Sequence, residues 1–524
     1  MVGDASAGGG AATGPRDSTV ERAGAEADQE PGATGVLLKR MVVYVPGSVG
    51  PAVLALVTSM VFTRIFTAAE FGMFSLAAIV VAVPVKVVST TWLVQSVAKF
   101  LPPVAADDER RTVLDAVVLT TALIVVAQVI LGAVAYAVGH FVLAEQWRSF
   151  LLPAVLFVIT TSLFEILSAL FSAEARASAY TAFKLSDSIL TLTLRLIMVS
   201  GLMSMDVTLM IWSVVISNGL LVPLMWRRVG LTSPLSATAA LRSEETKRLA
   251  RSFVGFGLPM TLWLFASILL DVGDRWVIKV LLGSGAVGIY DASYRLIAGL
   301  AVLMIVPVTI TVHPYVMGLV GTEDTTRISR VIGVVVDNLL IVAIFSVGLT
   351  FVLRRDIGLV LLGSEFREGS KIMPAVLAGV FLANIGTFAH KPFEIVGRTR
   401  PMVLAAFAAA AVNLALDFLL IPFMGYVGAA YATLISYLFY SVSVGSLGRR
   451  IIPWRMNLRR VLGQGAVIVA AFVVIAGVRR SADLPYAVDL LGTVTATSVV
   501  AAFVVWRLFK WVQRPGTGAG GIDD

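Results

Sequence analysis

The sequence predicts an all-α polytopic membrane protein with about 14 transmembrane helices, arranged as two six-helix lobes plus an appended C-terminal helix pair. Three observations predict this class. Of the 524 residues, 58% are hydrophobic and 14% charged, and the mean hydropathy is +0.89, whereas soluble proteins carry about 25% charged residues. Apolar runs recur at the length of about 20 residues that a helix needs to cross a bilayer. The two halves of the chain also repeat one another.

The candidate spans follow one another with mostly short loops. They lie near 41–62, 71–95, 112–139, 150–172, 185–203, 207–226, 252–274, 286–312, 331–353, 372–390, 402–421, 427–447, 461–478 and 486–509. The longest loop follows the sixth span and divides two lobes related by a pseudo-two-fold repeat. We therefore expect a disordered cytoplasmic tail (1–38), a first lobe (39–226), a cytoplasmic inter-lobe loop (227–251), a second lobe (252–447), the appended helices 13 and 14 (448–510) and a cytoplasmic tail (511–524).

Positive charge predicts the topology. With the N-terminus inside, most of the 41 Lys and Arg fall in the loops after even-numbered spans and near the chain ends. This follows the positive-inside rule, so we predict a multi-pass protein of the cytoplasmic (plasma) membrane with both termini cytoplasmic. The rule also accounts for the net charge of +8, and we expect no nucleic-acid partner. One outer loop departs from the rule, because it contains Arg354, Arg355, Arg367 and Lys371.

Two pairs of segments carry the internal repeat. RIFTAAEFGMFSLA (64–77) resembles KVLLGSGAVGIYDA (279–292), with Gly72 matched to Gly288, and DVTLMIWSVVIS (206–217) resembles YVGAAYATLISY (426–437). Parallel repeats with interrupted helices at matching positions are typical of transporters whose site lies between the halves. The first span of each lobe contains a Gly/Pro cluster, which predicts hinges at Pro46, Gly50, Gly257 and Pro259.

Cations inside the predicted spans are the first candidate site residues, because charge in a bilayer is costly and usually functional. Lys86 and Arg195 lie near the middle of spans 2 and 5, and Lys279 follows span 7. Lys279 continues the helix face of Arg275 by another turn and exceeds the acid–base pairing there. A cavity for a pyrophosphate or an acidic sugar needs such surplus cations.

Acid–base pairs in spans 7 and 8 permit a second interpretation. Asp271 precedes Arg275, and Asp291 precedes Arg295, by four residues, the spacing at which an acid and a base share a helix face. These pairs would reduce the cost of burying charge without any ligand. Both interpretations stay open for these residues, so the predicted substrate-binding cations are Lys86, Arg195, Arg275, Lys279 and Arg295.

Carboxylates supply the candidate sites for a coupling ion. A transporter driven by protons or sodium needs an acid within the membrane, and we select Glu165 in span 4 and Asp274 at the end of span 7. Asp337 and Asp417 lie near predicted helix ends, where we expect a solvated surface role. Cysteine is absent, the three histidines are far apart and no ATPase-type phosphate loop occurs. We therefore predict no metal and no cofactor, with coupling to H⁺ or Na⁺ left open.

The chain resembles the polysaccharide exporters, the Wzx-type O-antigen flippase family of the multidrug/oligosaccharidyl-lipid/polysaccharide (MOP) flippase superfamily. DVGDRWVIKVLLGSGAVGIYDASYRL (271–296) is similar to the first signature of that family, and AVNLALDFLLIPFMGYVGAAYATLISYLFY (411–440) is similar to the second. The resemblance implies two lobes around a cationic cavity, alternating access and export of a polyprenyl-linked oligosaccharide. It implies that lipid phosphates meet cations at Lys86, Arg275, Lys279 and Arg295.

Three functions compete. A flippase moving a polyprenyl-(di)phosphate-linked oligosaccharide, for surface polysaccharide or glycoprotein glycan assembly, explains the surplus cations and the fourteen spans. An ion-coupled multidrug or metabolite antiporter of the same superfamily would more naturally have twelve spans and an acidic cavity. A membrane glycosyltransferase should have a large outer loop with paired acids, which the sequence lacks, so we predict that the protein is not an enzyme. The expected partners are the lipid-linked glycan, membrane lipid and polysaccharide assembly proteins, and we expect a monomer.

Overall fold

The computed structural model describes residues 33–101, 107–198, 200, 206–231, 243–318, 325–481 and 485–512. These residues form helices and turns, with no β-strand among them. The fourteen long helices are α1 (Ala33–Phe62), α2 (Ala68–Phe100), α3 (Asp107–Val142), α4 (Glu145–Ala173), α5 (Ala177–Ile197), α6 (Leu209–Val229), α7 (Glu244–Leu282), α8 (Ser284–Gly318), α9 (Thr325–Leu361), α10 (Met373–Ala389), α11 (Arg400–Met424), α12 (Tyr426–Gly448), α13 (Leu458–Ser481) and α14 (Tyr486–Val512). The predicted fold class is confirmed. We call the side on which α1 begins and α14 ends the inner side.

Twelve segments of the described chain are long and apolar enough to cross a membrane, and α1 adds the shorter apolar stretch Val49–Phe62. The remaining helix, α5, carries Lys184, Asp187 and Arg195 within its 21 residues. It begins at Ala177, several residues before the predicted span, so Lys184 belongs to the helix and not to a loop. A helix this polar needs protein or water along one face if it lies in a membrane.

The predicted tails and the inter-lobe loop are described only in part. Residues 33–38, expected in the disordered tail, are the first residues of α1. The rest of the tail 1–38 and most of the tail 511–524 lie outside the described residues, as do residues 232–242 of the loop 227–251. At the edges of that loop, α6 continues to Val229 and α7 already begins at Glu244. The predicted domain limits otherwise stay predictions.

The two lobes meet on the outer side at a pair of equivalent glycines. A Cβ on Gly72 would collide with the carbonyl oxygen of Ser284, and a Cβ on Gly288 would collide with the carbonyl oxygen of Ala68. The same offset along the chain relates Gly72 to Gly288 and Ala68 to Ser284, so the two contacts are reciprocal. Equivalent residues touch in this way only where a two-fold axis passes between them. The internal repeat is therefore a pseudo-two-fold pair of lobes in space.

This glycine crossing yields a stability prediction. Gly288→Ala places a methyl group against backbone that cannot rotate away, so we expect it to lower the free energy of unfolding by about 1–3 kcal/mol. Gly285→Ala is the matched control on the same helix, because nothing lies within 4 Å of its added Cβ. We expect Gly285→Ala to leave the melting temperature of the detergent-solubilised protein unchanged or slightly raised. Equal melting temperatures for the two variants would contradict the close packing.

A second outer contact joins the loop before α2 to the loop after α9. Ala68 donates its backbone N–H to Glu365 at 2.8 Å, and Gly363 donates its own to Thr63 Oγ1 at 3.1 Å. Arg64 donates to the carbonyl of Val360 at 2.6 Å. The loop after α9, which forms the 3₁₀ helix Ser364–Ile372, is the one that departed from the positive-inside rule. Its backbone and acidic groups hold the outer side closed.

The inner side is closed by α2 against α7. Ser96 donates its hydroxyl to the carbonyl of Phe253 at 2.8 Å, and a Cβ on Gly257 would collide with the backbone of Trp92. Gly257 therefore permits the closest approach of the two lobes on this side. With both sides in contact, the described structure is a closed conformation.

The Gly/Pro clusters do not interrupt their helices, contrary to expectation. α1 continues through Pro46 and Gly50, and α7 continues through Gly257 and Pro259. The glycine in α1 serves close packing instead, since Gly50 faces Leu185 of α5. Irregular backbone occurs elsewhere: α7 turns at Gly273, and α2 contains a π-helical segment, Ser75–Ala82. Hinge motion at Pro46, Gly50, Gly257 and Pro259 stays a prediction.

At its outer end, the appended pair α13–α14 is joined to α9 through Arg479. Arg479 of α13 pairs with Asp356 of α9 through two nitrogens at 2.7 and 2.9 Å, and with Asp489 of α14 at 2.8 Å. A bidentate arginine–carboxylate pair fixes orientation as well as distance. The outer ends of these three helices are therefore held together.

Candidate functional site

Three charged side chains of the first lobe meet in the inner half of the structure. Lys86 of α2 and Lys184 of α5 both approach Oε1 of Glu165 of α4, at 3.8 and 3.3 Å. We call these three residues the inner cation cluster. The side chains of Lys86, Lys184 and Glu165 are 20%, 19% and 39% exposed, respectively. The cluster comprises two cations and one partly exposed carboxylate, and Asp187 of α5 also acts electrostatically on Lys184 and Glu165.

The depth of the inner cation cluster follows from the helix ends. Glu165 and Lys184 each lie roughly two turns from the inner ends of α4 and α5, which is about 10 Å along a helix. Lys86 lies near the middle of α2. Charged groups at this depth need a water-filled cavity or a partner. In this structure each charge of the cluster has an oppositely charged partner.

Sequence reasoning missed Lys184 because the predicted span began one residue after it. A signal was present: Lys184, Asp187, Thr191 and Arg195 follow each other at spacings of three and four, so they share one face of a helix. The structure places this polar face of α5 against α6. Asp187 accepts a hydrogen bond from Ser217 at 2.7 Å.

Arg195 lies at the outer end of α5 and not in mid-span as predicted. It is in the last turn of the helix, because α5 starts and ends earlier than the predicted span. Its guanidinium donates to Ser213 Oγ at 2.9 Å and to the carbonyl of Met210 at 3.1 Å. Both acceptors are neutral, so the positive charge of Arg195 remains uncompensated by these contacts.

A second group of charges, the outer charge cluster, comprises Asp271, Asp274, Arg275, Asp291 and Arg295. Arg275 lies at its centre and is 2% exposed. It pairs with Asp274 at 2.8 Å and with Asp291 at 3.0 Å. In this conformation the guanidinium is fully occupied within the protein. The role of Arg275 as a substrate-binding cation stays a prediction.

The predicted acid–base pairs are found in part. Asp291 and Arg295 form the expected pair four residues apart on α8. Asp271 instead receives hydrogen bonds from the hydroxyls of Tyr294 and Tyr437, while Arg275 donates to the backbone carbonyl of Asp271. The turn at Gly273 separates the two residues from a continuous helix face. That break explains why the regular spacing did not produce the carboxylate pair.

Arg295 is the open cation of the outer charge cluster. Its side chain is 32% exposed, and its Nη2 atom is buried with no hydrogen-bond partner in the part of the chain that the structure describes. Its charge also acts on Arg195 of the other lobe. Two cations from opposite lobes with a free donor would attract an anionic group between them.

Lys279 lies apart from both clusters, near the outer end of α7. Its ammonium group is 2.5 Å from the hydroxyl of Ser284 and lies 5.5 Å from the centre of the Trp147 ring. Tryptophan and lysine at a helix end are typical of the membrane interface. Binding of substrate by Lys279 stays a prediction.

Asp417 of α11 is buried and not at the surface as predicted. It is 0% exposed, and neither carboxylate oxygen has a hydrogen-bond partner among the described residues. Its charge and that of Asp274 act on each other. A bare buried carboxylate is so costly that it must carry a proton or bind a cation.

Neutral oxygen groups lie beside the two acids. Thr433 of α12 donates to Asp274 at 3.3 Å, and Asn413, one turn before Asp417, donates to Thr433 at 3.4 Å. The described residues contain no group of three His, Cys, Asp or Glu that could hold a metal. Carboxylate, amide and hydroxyl oxygens suit hard cations such as sodium, and an acid pair suits a proton.

Comparison with known proteins identifies solved structures of the same fold. No protein-family model matches the sequence, and no curated protein matches it. The lipid II flippase MurJ in an inward closed conformation aligns with a TM-score of 0.68 at 15% identity, over 89% of this chain and 100% of that one. A MATE in the bent conformation aligns with a TM-score of 0.58 at 11% identity, over 82% of this chain and 97% of that one.

A third solved structure is similar over the same region. The inward-facing conformation of a multidrug resistance MATE family transporter of the MOP superfamily aligns with a TM-score of 0.55 at 12% identity, over 82% of this chain and 95% of that one. At such identities the likeness establishes the fold, and one fold serves several functions. This chain is a multi-pass membrane protein with the fold shared by the MurJ flippase and the MATE transporters.

Proposed function

We propose that this protein is a flippase that moves a polyprenyl-(di)phosphate-linked oligosaccharide across the cytoplasmic membrane by alternating access. The observation that carries the proposal is the convergence of Lys86 and Lys184 on one carboxylate oxygen of Glu165. A phosphate presents oxygens of the same charge and size as that carboxylate. The ligand would replace Glu165 between the two ammonium groups and gain two charge-assisted hydrogen bonds.

The remaining cations give the head group a second position. Arg295, with its free Nη2 donor, and Arg195 lie in the outer half, so the phosphates pass from the inner cation cluster to this pair as the lobes rock. The lipid tail stays in the bilayer. We assign Arg275, which is enclosed by carboxylates, to holding the outer charge cluster together instead of contacting the cargo.

Asp417 and Asp274 supply the coupling-ion site in this proposal. The carboxylate of Asp417 lacks any described partner, so it takes up a proton or a sodium ion. Asp274 forms an ion pair with Arg275 and also accepts hydrogen bonds from the hydroxyls of Tyr290 and Thr433. Binding of a proton or sodium ion at Asp417 would therefore change the electrostatic interactions of Arg275, which joins α7 and α8. Glu165, the other predicted coupling acid, is assigned to the cargo site.

An ion-coupled multidrug antiporter is the second candidate, favoured by the MATE neighbours of the fold. Cationic drugs need an exposed carboxylate without a fixed counter-charge. Glu165 is partly exposed, but two lysines lie against it. An antiporter for cationic drugs would therefore require both lysines to move away from Glu165. A flippase for a phosphate-containing cargo would use the lysines where they are.

The flippase is tested by the lipids that accumulate without it. In a deletion strain of the host, mass spectrometry of membrane lipids should show a polyprenyl-linked oligosaccharide that rises several-fold and is restored by the wild-type gene. Sensitivity of the strain to cationic dyes should not change. Unchanged lipid-linked sugars together with increased dye accumulation would refute the flippase and support the antiporter.

A further inference from the structure

A chain of buried polar side chains connects α7, α10 and α12 near the inner side. Trp263 Nε1 lies 3.0 Å from the hydroxyl of Tyr440, which lies 2.8 Å from Nδ1 of His390. His390 Nε2 lies 2.8 Å from Oε1 of Glu394, and the Lys391 ammonium group lies 2.6 Å from Oε2 of Glu394. We call these five residues the histidine network. None of them belongs to the cargo or ion sites described above.

The chemistry of these groups fixes the direction of each hydrogen bond. An indole N–H can only donate, so Tyr440 accepts from Trp263 and has its own hydrogen free to donate to Nδ1 of His390. Nε2 of His390 then carries the imidazole hydrogen and donates to Glu394. The imidazole is neutral in this arrangement, and Glu394 is balanced by Lys391. Every polar atom of His390, which is fully buried, is satisfied.

A proton added to His390 does not fit this arrangement. Both ring nitrogens of a protonated histidine donate, so Nδ1 would donate to the oxygen of Tyr440. That oxygen would then receive hydrogens from His390 and Trp263, and its own hydrogen would need a new acceptor. Among the described residues, the Tyr440 hydroxyl has hydrogen bonds only to Trp263 and His390. Protonation therefore weakens the link between Tyr440 and Trp263.

Two charges of opposite sign face His390: Glu394 favours its protonation and Lys391 opposes it. Trp263 from α7 and Tyr440 from α12 are neutral, and the charges that act on His390 are those of Glu394 and Lys391 on its own segment. Glu394 is adjacent, partly exposed and hydrogen-bonded to Nε2. Its negative charge stabilises the imidazolium that forms.

Trp263 ties this network to the inner contact between the lobes. Trp263 lies on α7 less than two turns after Gly257, where α7 packs on Trp92 of α2. Phe253, whose carbonyl accepts a hydrogen bond from Ser96 of α2, lies one turn before Gly257. Holding Trp263 in the second lobe fixes where this part of α7 lies. Release of Trp263 removes this tie between α7 and α12, so that the stretch of α7 packed on α2 can move away from α2.

We propose that His390 is a proton-binding site on the inner side of the second lobe, and that its protonation releases Trp263 and opens the contact between α2 and α7. The ligand is a proton taken from the inner compartment. The site is separate from the Asp417 site and independent of which cargo the protein carries.

The first test measures protonation directly. The chain contains three histidines, so solid-state NMR of the wild-type protein in lipid, with isotope-labelled histidine, gives three imidazole signals. The signal that is absent from the His390→Gln variant belongs to His390. We expect it to change from neutral to imidazolium between about pH 8 and pH 5. A His390 signal that stays neutral throughout this range overturns the proposal.

The second test measures the contact between the lobes. The chain has no cysteine, so spin labels at Ala98→Cys on α2 and Ser252→Cys on α7 report one distance. As the pH falls, the population should shift from mostly short to mostly long distances. Trp263→Phe, which retains a ring but no donor, should show the long distance already at pH 8, and His390→Gln should abolish the pH response.

His140→Gln is the matched control, because His140 is exposed at the far end of α3. It should retain the wild-type pH response. If His390→Gln and His140→Gln respond to pH alike, protonation of His390 does not control the contact, and the proposal fails even if the flippase assignment holds. If His390→Gln does not fold, the comparison of Trp263→Phe with the wild type decides.

Discussion

Replacing Lys86 and Lys184 together with glutamine should lower transport of the lipid-linked oligosaccharide by about 100-fold or more. Each charge-assisted hydrogen bond contributes about 1.5–3 kcal/mol, and about 1.4 kcal/mol corresponds to a tenfold change. The variant removes two such contacts and leaves Glu165 to repel the phosphates. Flipping of a fluorescent lipid-linked oligosaccharide by the purified protein in liposomes measures the effect.

A matched double variant separates the site from general loss of positive charge. Lys247→Gln with Lys371→Gln also removes two lysines, each paired with an acid within three residues in sequence. Transport by this control should stay within about twofold of wild type, since exposed pairs contribute about 0–1 kcal/mol. Equal transport by the two double variants would exclude the inner cation cluster as the cargo site.

Glu165→Gln tests whether Glu165 competes with the cargo phosphates for the two lysines or binds the coupling ion. Without its charge, the two lysines are free, so the cargo should bind about tenfold more tightly while its release slows. Transport should keep its dependence on an ion gradient. If binding does not change and the ion dependence is lost, Glu165 is the coupling acid that the sequence first indicated.

The second large effect is expected at Asp417. Asp417→Asn preserves the size of the side chain but cannot release a proton or bind sodium with a charge, so transport should fall about 10- to 100-fold. The residual transport should no longer respond to proton or sodium gradients. Liposomes with either gradient imposed alone identify the ion, since the wild-type protein should respond to one of them.

Asp337→Asn is the control for Asp417. Asp337 also lies in a long helix, but its carboxylate accepts the backbone N–H of Asn457 at 3.1 and 3.2 Å, which joins α9 to the start of α13. Its replacement should lower the melting temperature and leave the ion dependence intact. Ion dependence that survives in Asp417→Asn, or disappears in Asp337→Asn, would remove Asp417 from the coupling role.

Periodicity and composition predicted the helices well, because a bilayer demands long apolar helices regardless of how they pack. The same rule misplaced the start of α5, because charged residues interrupt its apolar pattern. Lys184 was consequently lost, although its spacing to Asp187 and Arg195 marked one helix face. A polar periodic stretch between apolar spans is the signal to use in such chains.

Tertiary partners could not be predicted from the sequence. Arg275 had an acid at the expected helical spacing, but the turn at Gly273 directed it to Asp274 and Asp291. Asp417 lies near the end of its predicted span but is buried, with the charges of Asp274 and Arg275 of α7 acting on it. Each of these outcomes depends on which helices become neighbours, and spacing within one helix carries no information about that.

The reciprocal contact of Gly72 and Gly288 has a consequence for the origin of the two lobes. A surface that meets its own counterpart across a two-fold axis is self-complementary. A single lobe, expressed alone, would present half of such an interface and could pair with an identical copy. The fused chain thus has the geometry of a homodimer in which the two halves can differ in sequence. On the axis they are constrained, because a side chain added at either glycine would collide with the backbone of the other lobe.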